Sequence, residues 1–226
     1  MSDATNPLVY RAARAVGVLK PKMQANPRGQ VFADTLDVRG TAFWLREAKV
    51  LVTCAHVVQD LLVAPIEVAG LLVIGNQGNY LRAYISIVDS EHDLAILRLP
   101  PDTTADVMAR ELEDGLEPAS AYPPVGAAVE YAGFPFGVQL LSSTHAPTYA
   151  KGVVASEVRT QLSRKEVQIT GAVAGGFSGA PIVDCANPTQ VVAVLSNSPS
   201  PAVGQANIFM GVSWEHVRAI AGLAAS

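Results

Sequence analysis

Three short segments carry side chains that could together perform acyl transfer, and they come in the order His, Asp, Ser. The first is GTAFWL from Gly40 to Leu45, followed by VLVTCAH from Val50 to His56. The second is HDLAILRL from His92 to Leu99, and the third is GGFSGAPIV from Gly175 to Val183. A serine hydroxyl is a weak nucleophile until a base takes its proton and donors receive the developing oxyanion. Ser178 is framed by glycines, which allow a tight turn and leave the N–H groups of Gly176 and Ser178 open as natural donors. An imidazole such as that of His56 moves protons near neutral pH. A carboxylate at Asp93 would hold the ring's tautomer and stabilise the imidazolium.

Each residue alone also has a plain structural reading. Ser178 could sit in an ordinary glycine-rich turn, His56 could be an inert histidine beside a strand, and Asp93 could satisfy amides at a strand start. The combination outweighs these readings. The order His, Asp, Ser differs from the orders used by subtilisin and the α/β-hydrolases.

The elements that would position them are short β-type runs cut by Gly, Pro and Asn. One set covers Val16–Leu19, Thr41–Leu45, Val50–Thr53, Leu71–Ile74, Leu81–Val88 and Leu94–Leu99. A second covers Ala128–Ala132, Thr148–Val154, Glu166–Ile169, Ala180–Val183, Val191–Leu195 and Ile208–Val212. Such spacing predicts an all-β sandwich or barrel, with His56 and Asp93 in the first set and Ser178 in the second. His56 reads as the end of a buried strand. Pro and acidic residues around 101–121 read as a linker with a short helix over Ala105–Leu112, and Ser213 reads as the N-cap of a closing helix over 213–226. The expected division is about 10–100 for one barrel and 122–212 for the other, within a single domain of 226 residues.

Half the residues are hydrophobic and 16% are charged, which favours a large core over disorder. A net charge of −4 without a Lys/Arg cluster argues against a nucleic-acid partner. The apolar runs are too short to span a membrane, and Arg11 and Arg14 break any secretory leader, so a cytoplasmic protein with no membrane partner is expected. Cys54 and Cys185 are expected as free thiols. His92, His145 and His216 have no partners at metal-ligand spacing, so no metal and no other cofactor is expected. Trp44 and Trp214 read as packing residues.

The three segments resemble those of the trypsin-like serine peptidases: TCAH is similar to the family's TAAH, HDLAIL to its DLAL or DIAL, and GFSGAP to its GNSGGP or GDSGGP. Within that superfamily, AGFPFG from Ala132 to Gly137 and KGVVAS from Lys151 to Ser156 resemble stretches of the HtrA/Deg branch. The resemblance implies a double six-stranded antiparallel β-barrel of the chymotrypsin type, with a site in the groove between barrels. It implies a serine endopeptidase whose triad is His56, Asp93 and Ser178. It also puts Ala172, followed by Val173, at the base of a specificity pocket, and Ser196, Asn197 and Ser198 on the strand that pairs with substrate. The HtrA branch usually adds a PDZ domain, for which no room is expected after Ser226, and Ala180 stands where the family has a second glycine. Phe177 replaces the aspartate that in zymogen-type relatives pairs with a new N-terminus, so activation without N-terminal trimming is expected, either as made or through a regulatory partner or oligomer. The readings set against a peptidase are a catalytically silent peptide-binding module, which a fluorophosphonate probe would expose, and an esterase or amidase. A protein or peptide substrate is the expected partner.

Overall fold

The computed structural model describes residues 6–26, 29–62, 69–74, 80–135, 146–161, 163–197 and 207–223. Six strands form a first closed barrel: β1 (Ala13–Asn26), β2 (Gly29–Leu45), β3 (Val50–Thr53), β4 (Ala69–Ile74), β5 (Tyr80–Asp89) and β6 (Leu94–Arg98). Their order around the barrel is β1-β2-β3-β6-β5-β4, and β1 pairs back onto β4 to close it. The second half contributes β7 (Glu117–Pro118), β8 (Ala128–Gly133), β9 (Thr148–Val154), β10 (Arg159–Gln161), β11 (Arg164–Gly171), β12 (Pro181–Asp184), β13 (Asn187–Asn197) and β14 (Ile208–Ser213). Its path runs β11-β14-β13-β12-β8-β9, and the β11–β9 pairing closes a second six-stranded antiparallel barrel. β10 extends the β11 edge as a hairpin, and β7 adds a short parallel pairing to β13.

The sequences VLVT and LAIL explain why the candidate histidine and aspartate sit where they do. A strand with one wet face alternates, whereas β3 and the first four residues of β6 are buried throughout. One core cluster accounts for this: it joins Phe43, Leu51, Val52, Ile96 and Leu97 of the first barrel to Val183, Val194 and Val212 of the second. Both faces of β3 and β6 therefore find apolar partners, and these strands can deliver polar groups at their ends to the junction. A second cluster around Tyr131, Ile169, Phe177 and Phe209 fills the other barrel.

The stretch between the barrels is tied down. Its helix α3 (Ala105–Glu113) turns Glu111 inward, where Arg14 Nε lies 2.9 Å from Glu111 Oε2 and Trp44 Nε1 donates to the same oxygen at 3.3 Å. Arg14 and Glu111 are only 3% and 5% exposed, so removing either partner would strand a buried charge. Leu116 then exchanges backbone hydrogen bonds with the end of β2.

Two features extend the sequence expectation. The β1–β2 hairpin continues in register to Asn26 and Gly29, far beyond Val16–Leu19. Pro21 falls inside that extension, and a proline within a run counts against a strand when the sequence is read alone. A five-residue helix α1 (Leu8–Ala12) precedes β1 and buries Val9 and Ala12. The closing helix α4 (Trp214–Ile220) is capped as expected, Ser213 Oγ accepting from Glu215 N at 3.1 Å. Among the described residues no helix is long and apolar enough to cross a membrane.

Candidate active site at the barrel junction

His56 is carried by a short helix α2 (Ala55–Val58) that starts one residue after β3, and not by the strand itself. Cys54, between them, is fully buried and its thiol donates to Leu195 O of the second barrel at 3.2 Å. Burial and the neighbouring Asp93 charge push that thiol well above its ordinary pKa. Its place next to His56 is therefore that of a packed, protonated thiol. Cys54, His56 and Asp93 do bring one donor atom each within 4.8 Å of one another. A metal would need the thiolate there, and the direction of the Cys54 shift opposes it.

Asp93 closes the β5–β6 turn. Asp89 organises that turn by accepting from the Glu91 and His92 amides at 3.1 Å and from His92 Nδ1 at 2.6 Å. Asp93 itself takes a left-handed backbone with φ 57°, a conformation that Asp tolerates better than most residues. Its carboxylate faces His56: Nδ1 lies 2.9 Å from Oδ2, and the His56 main-chain amide donates to Oδ1 at 3.0 Å. Burial alone would raise the Asp93 pKa, but hydrogen bonds from the His56 ring, the Ser196 hydroxyl and the His56 amide outweigh it and hold it below the ordinary value. An ionised Asp93 only accepts, so the proton sits on Nδ1 and the Nε2 lone pair is left to act as a base.

The Ser178 turn is built by its glycines. Gly176 and Gly179 have φ of 104° and 88°, and a Cβ would come within 2.2 Å of Phe134 O at the first and 2.0 Å of Thr41 O at the second. No other residue fits at either position. Thr41, near the end of β2, holds the turn from below: its amide donates to Ser178 O and its hydroxyl to Gly176 O, both at 2.8 Å. Gly179 N donates to Leu195 O, and Ala180 N to Phe177 O. Among the described residues, neither Gly176 N nor Ser178 N donates to a backbone carbonyl.

Gly40 marks the point where the two barrels converge. A Cβ there would lie 2.7 Å from Val57, beside His56, and 2.9 Å from Ser178 O. Ser178 Oγ donates to Ser196 O at 3.4 Å, and Ser196 Oγ donates to Asp93 Oδ2 at 2.5 Å. The serine thus connects to the His–Asp pair through Ser196, and a direct Ser178–His56 bond is not among those the described residues make. Catalytic hydrogen bonds are often long before substrate binds.

The expected substrate-binding residues have mixed positions. Ala172 is exposed, and its carbonyl accepts from Tyr131 OH at 2.9 Å, while Val173 packs against the second core. Ser196 and Asn197 end β13, and the Ser196 side chain turns to Asp93. Ser198 and His145 lie outside the described residues. His92 is paired with Asp89 and stacks on His216, with ring centroids 4.0 Å apart. Both cysteines are free. The sequence gives no sign of the roles of Thr41 and of Arg164, whose Nη2 donates to Ser196 Oγ at 2.8 Å, because their partners are remote along the chain.

Two closed antiparallel barrels with a His–Asp pair on one and a glycine-framed serine on the other define a chymotrypsin-like fold. The trypsin-like peptidase domain model matches residues 40–194, more than half the chain, and the chain belongs to that family. No curated protein sequence matches it. Among solved structures it is similar to the HtrA-type protease AlgW with a decapeptide, at 18% identity and a TM-score of 0.73, covering 94% of this chain and 64% of AlgW. It is also similar to the active form of the Rv3671c protease from M. tuberculosis, at 19% identity and a TM-score of 0.62, covering 98% and 86% of the two chains. The chain thus spans somewhat less than two thirds of the AlgW chain.

Proposed function

We propose that the protein is a serine endopeptidase that works through an acyl-enzyme on Ser178. The observation that carries this reading is the His56–Asp93 pair, held by two hydrogen bonds, at the same junction where the Gly176–Gly179 turn presents Ser178. In the reaction, His56 Nε2 takes the Ser178 proton as Oγ attacks the peptide carbonyl. Asp93 keeps the ring's tautomer and stabilises its cation, and the N–H groups of Gly176 and Ser178 receive the oxyanion. His56 then protonates the leaving amine, and water resolves the ester by the reverse proton path. A solved neighbour is described with a bound decapeptide, which fits a peptide substrate for this chain as well.

The test is incubation of the wild type, Ser178→Ala and His56→Ala with a diverse peptide library and with a fluorophosphonate probe. Each substitution is expected to lower turnover by roughly 10⁴–10⁶. Near-wild-type cleavage by pure Ser178→Ala would overturn the assignment. Probe labelling with ester turnover but no peptide cleavage would point to an esterase.

A further inference from the structure

We propose that Arg164 is a positioning residue for the catalytic carboxylate, fixing the direction of the Ser196 hydroxyl and through it the place of Asp93. The inference rests on the serine-peptidase reading above. A guanidinium can only donate and an ionised carboxylate can only accept. Ser196 Oγ lies between the two, 2.8 Å from Arg164 Nη2 and 2.5 Å from Asp93 Oδ2. With Arg164 donating to its oxygen, the single hydroxyl proton has one good direction left, toward Asp93. Ser196 is 3% exposed, so water cannot readily replace the arginine as donor.

The cation is itself held. Arg164 opens β11, and Glu166, two residues on, places Oε1 2.7 Å from Arg164 Nε, an ion-pair contact outside hydrogen-bond alignment. The hairpin that delivers it is anchored at its tip: Ser163 bonds Glu91 on the turn leading to Asp93, and Lys165 N donates to His216 Nε2 at 2.8 Å on α4. The placement of Arg164 is thus set from both barrels.

The test compares the wild type with Arg164→Met, Arg164→Lys, Ser196→Ala and the Arg164→Met/Ser196→Ala double variant. For Arg164→Met, kcat is expected to fall about 10- to 100-fold with KM changed less than about 2-fold, while Arg164→Lys recovers part of the loss. In the Ser196→Ala background, Arg164→Met should cost nothing more, since the hydroxyl it orients is gone. Additive losses, or a raised KM at unchanged kcat, would overturn the proposal. If Arg164→Met does not fold, Arg164→Lys against Ser196→Ala decides on the same criteria. A readout independent of turnover is the far-downfield ¹H resonance of the His56 Nδ1–H···Asp93 bond: it should shift or broaden in Arg164→Met and be retained in Arg164→Lys. A wild type that cleaves no peptide and takes no probe would refute the peptidase reading alone, and an unchanged resonance in Arg164→Met would then refute the role of Arg164.

Discussion

His56 meets Asp93 through two of its own atoms, the ring Nδ1 2.9 Å from Oδ2 and the main-chain amide 3.0 Å from Oδ1. The ring and the backbone that carries it are thus referred to one carboxylate, which fixes both the tautomer and the position of the side chain.

Asp93→Asn separates these two services. Asn tolerates the left-handed backbone at φ 57°, so the turn should keep its shape. The amide can still accept from the His56 main chain, but it cannot stabilise an imidazolium. Turnover is expected to drop about 10⁴-fold with melting temperature little changed. Equal hydrolysis by both forms in a steady-state assay would rule out Asp93 as the orienting acid.

The histidine stack predicts a pH effect on stability. His216 is held below its ordinary value by burial first and then by the facing His92, while Asp89 and Glu215 pull the other way and Lys165 adds to the depression. Its Nε2 accepts from Lys165 N and must be neutral to do so. A depressed folded value gives stability that is present above the unfolded value of about 6.5 and lost as pH falls through the folded one. Melting temperature should therefore fall between pH 7 and pH 5, and less steeply in His216→Gln, which keeps an acceptor. Parallel slopes in differential scanning calorimetry would reject the role of His216.

With Ala172 and Val173 proposed as the base of a specificity pocket, a cleavage preference is expected. Ala172 and Val173 bring no carboxylate, and the Ala172 carbonyl is already engaged by Tyr131. A buried Lys or Arg side chain would lack a counter-charge there, a costly state. A library profile is expected to favour small or medium apolar residues before the scissile bond. Dominant cleavage after Lys or Arg would contradict this.

Much of this architecture is legible in the sequence because it is local. VLVT and LAIL announce strands buried on both faces, GGFSGAP announces a turn only glycine can make, and Ser213 announces a helix start. The parts that escape are those whose partners are distant or whose elements are too short for a period. α1 has five residues, β7 has two and β10 has three, so none carries a pattern. Arg164 and Ser196 stand 32 positions apart, and Thr41 is 135 from Gly176, which only the folded topology can bring together. The sequence places His56 at a strand end because the run before it is almost wholly apolar; the helix begins at Ala55, where that run gives no sign of a boundary.

Phe177 bears on how the site is made competent. It is 3% exposed, sits edge-on to Tyr131 with ring centroids 5.7 Å apart, and approaches Gly133 so closely that a Cβ there would lie 2.8 Å from its ring. An ammonium group could find no partner in this apolar seat. The turn is instead anchored by packing, together with the two hydrogen bonds from Thr41. Nor is the N-terminal segment free to be exchanged: Val9 and Ala12 are buried, and Arg14 is paired with Glu111. A cut after Arg14 would break β1 two residues from its start and detach Arg14 from the strand, endangering its buried pairing with Glu111. The intact chain is therefore expected to react with a fluorophosphonate without trimming, on its own or with a partner bound, and cleavage within the first 15 residues should lower its melting temperature. Phe177→Ala should cost about 3–5 kcal/mol and slow labelling, because the turn that carries Ser178 loses its anchor. Mass analysis of the labelled protein with its N-terminus defined provides the check. Labelling confined to a trimmed form, and abolished when its new amine is blocked, would show that an ion pair does what is here assigned to packing.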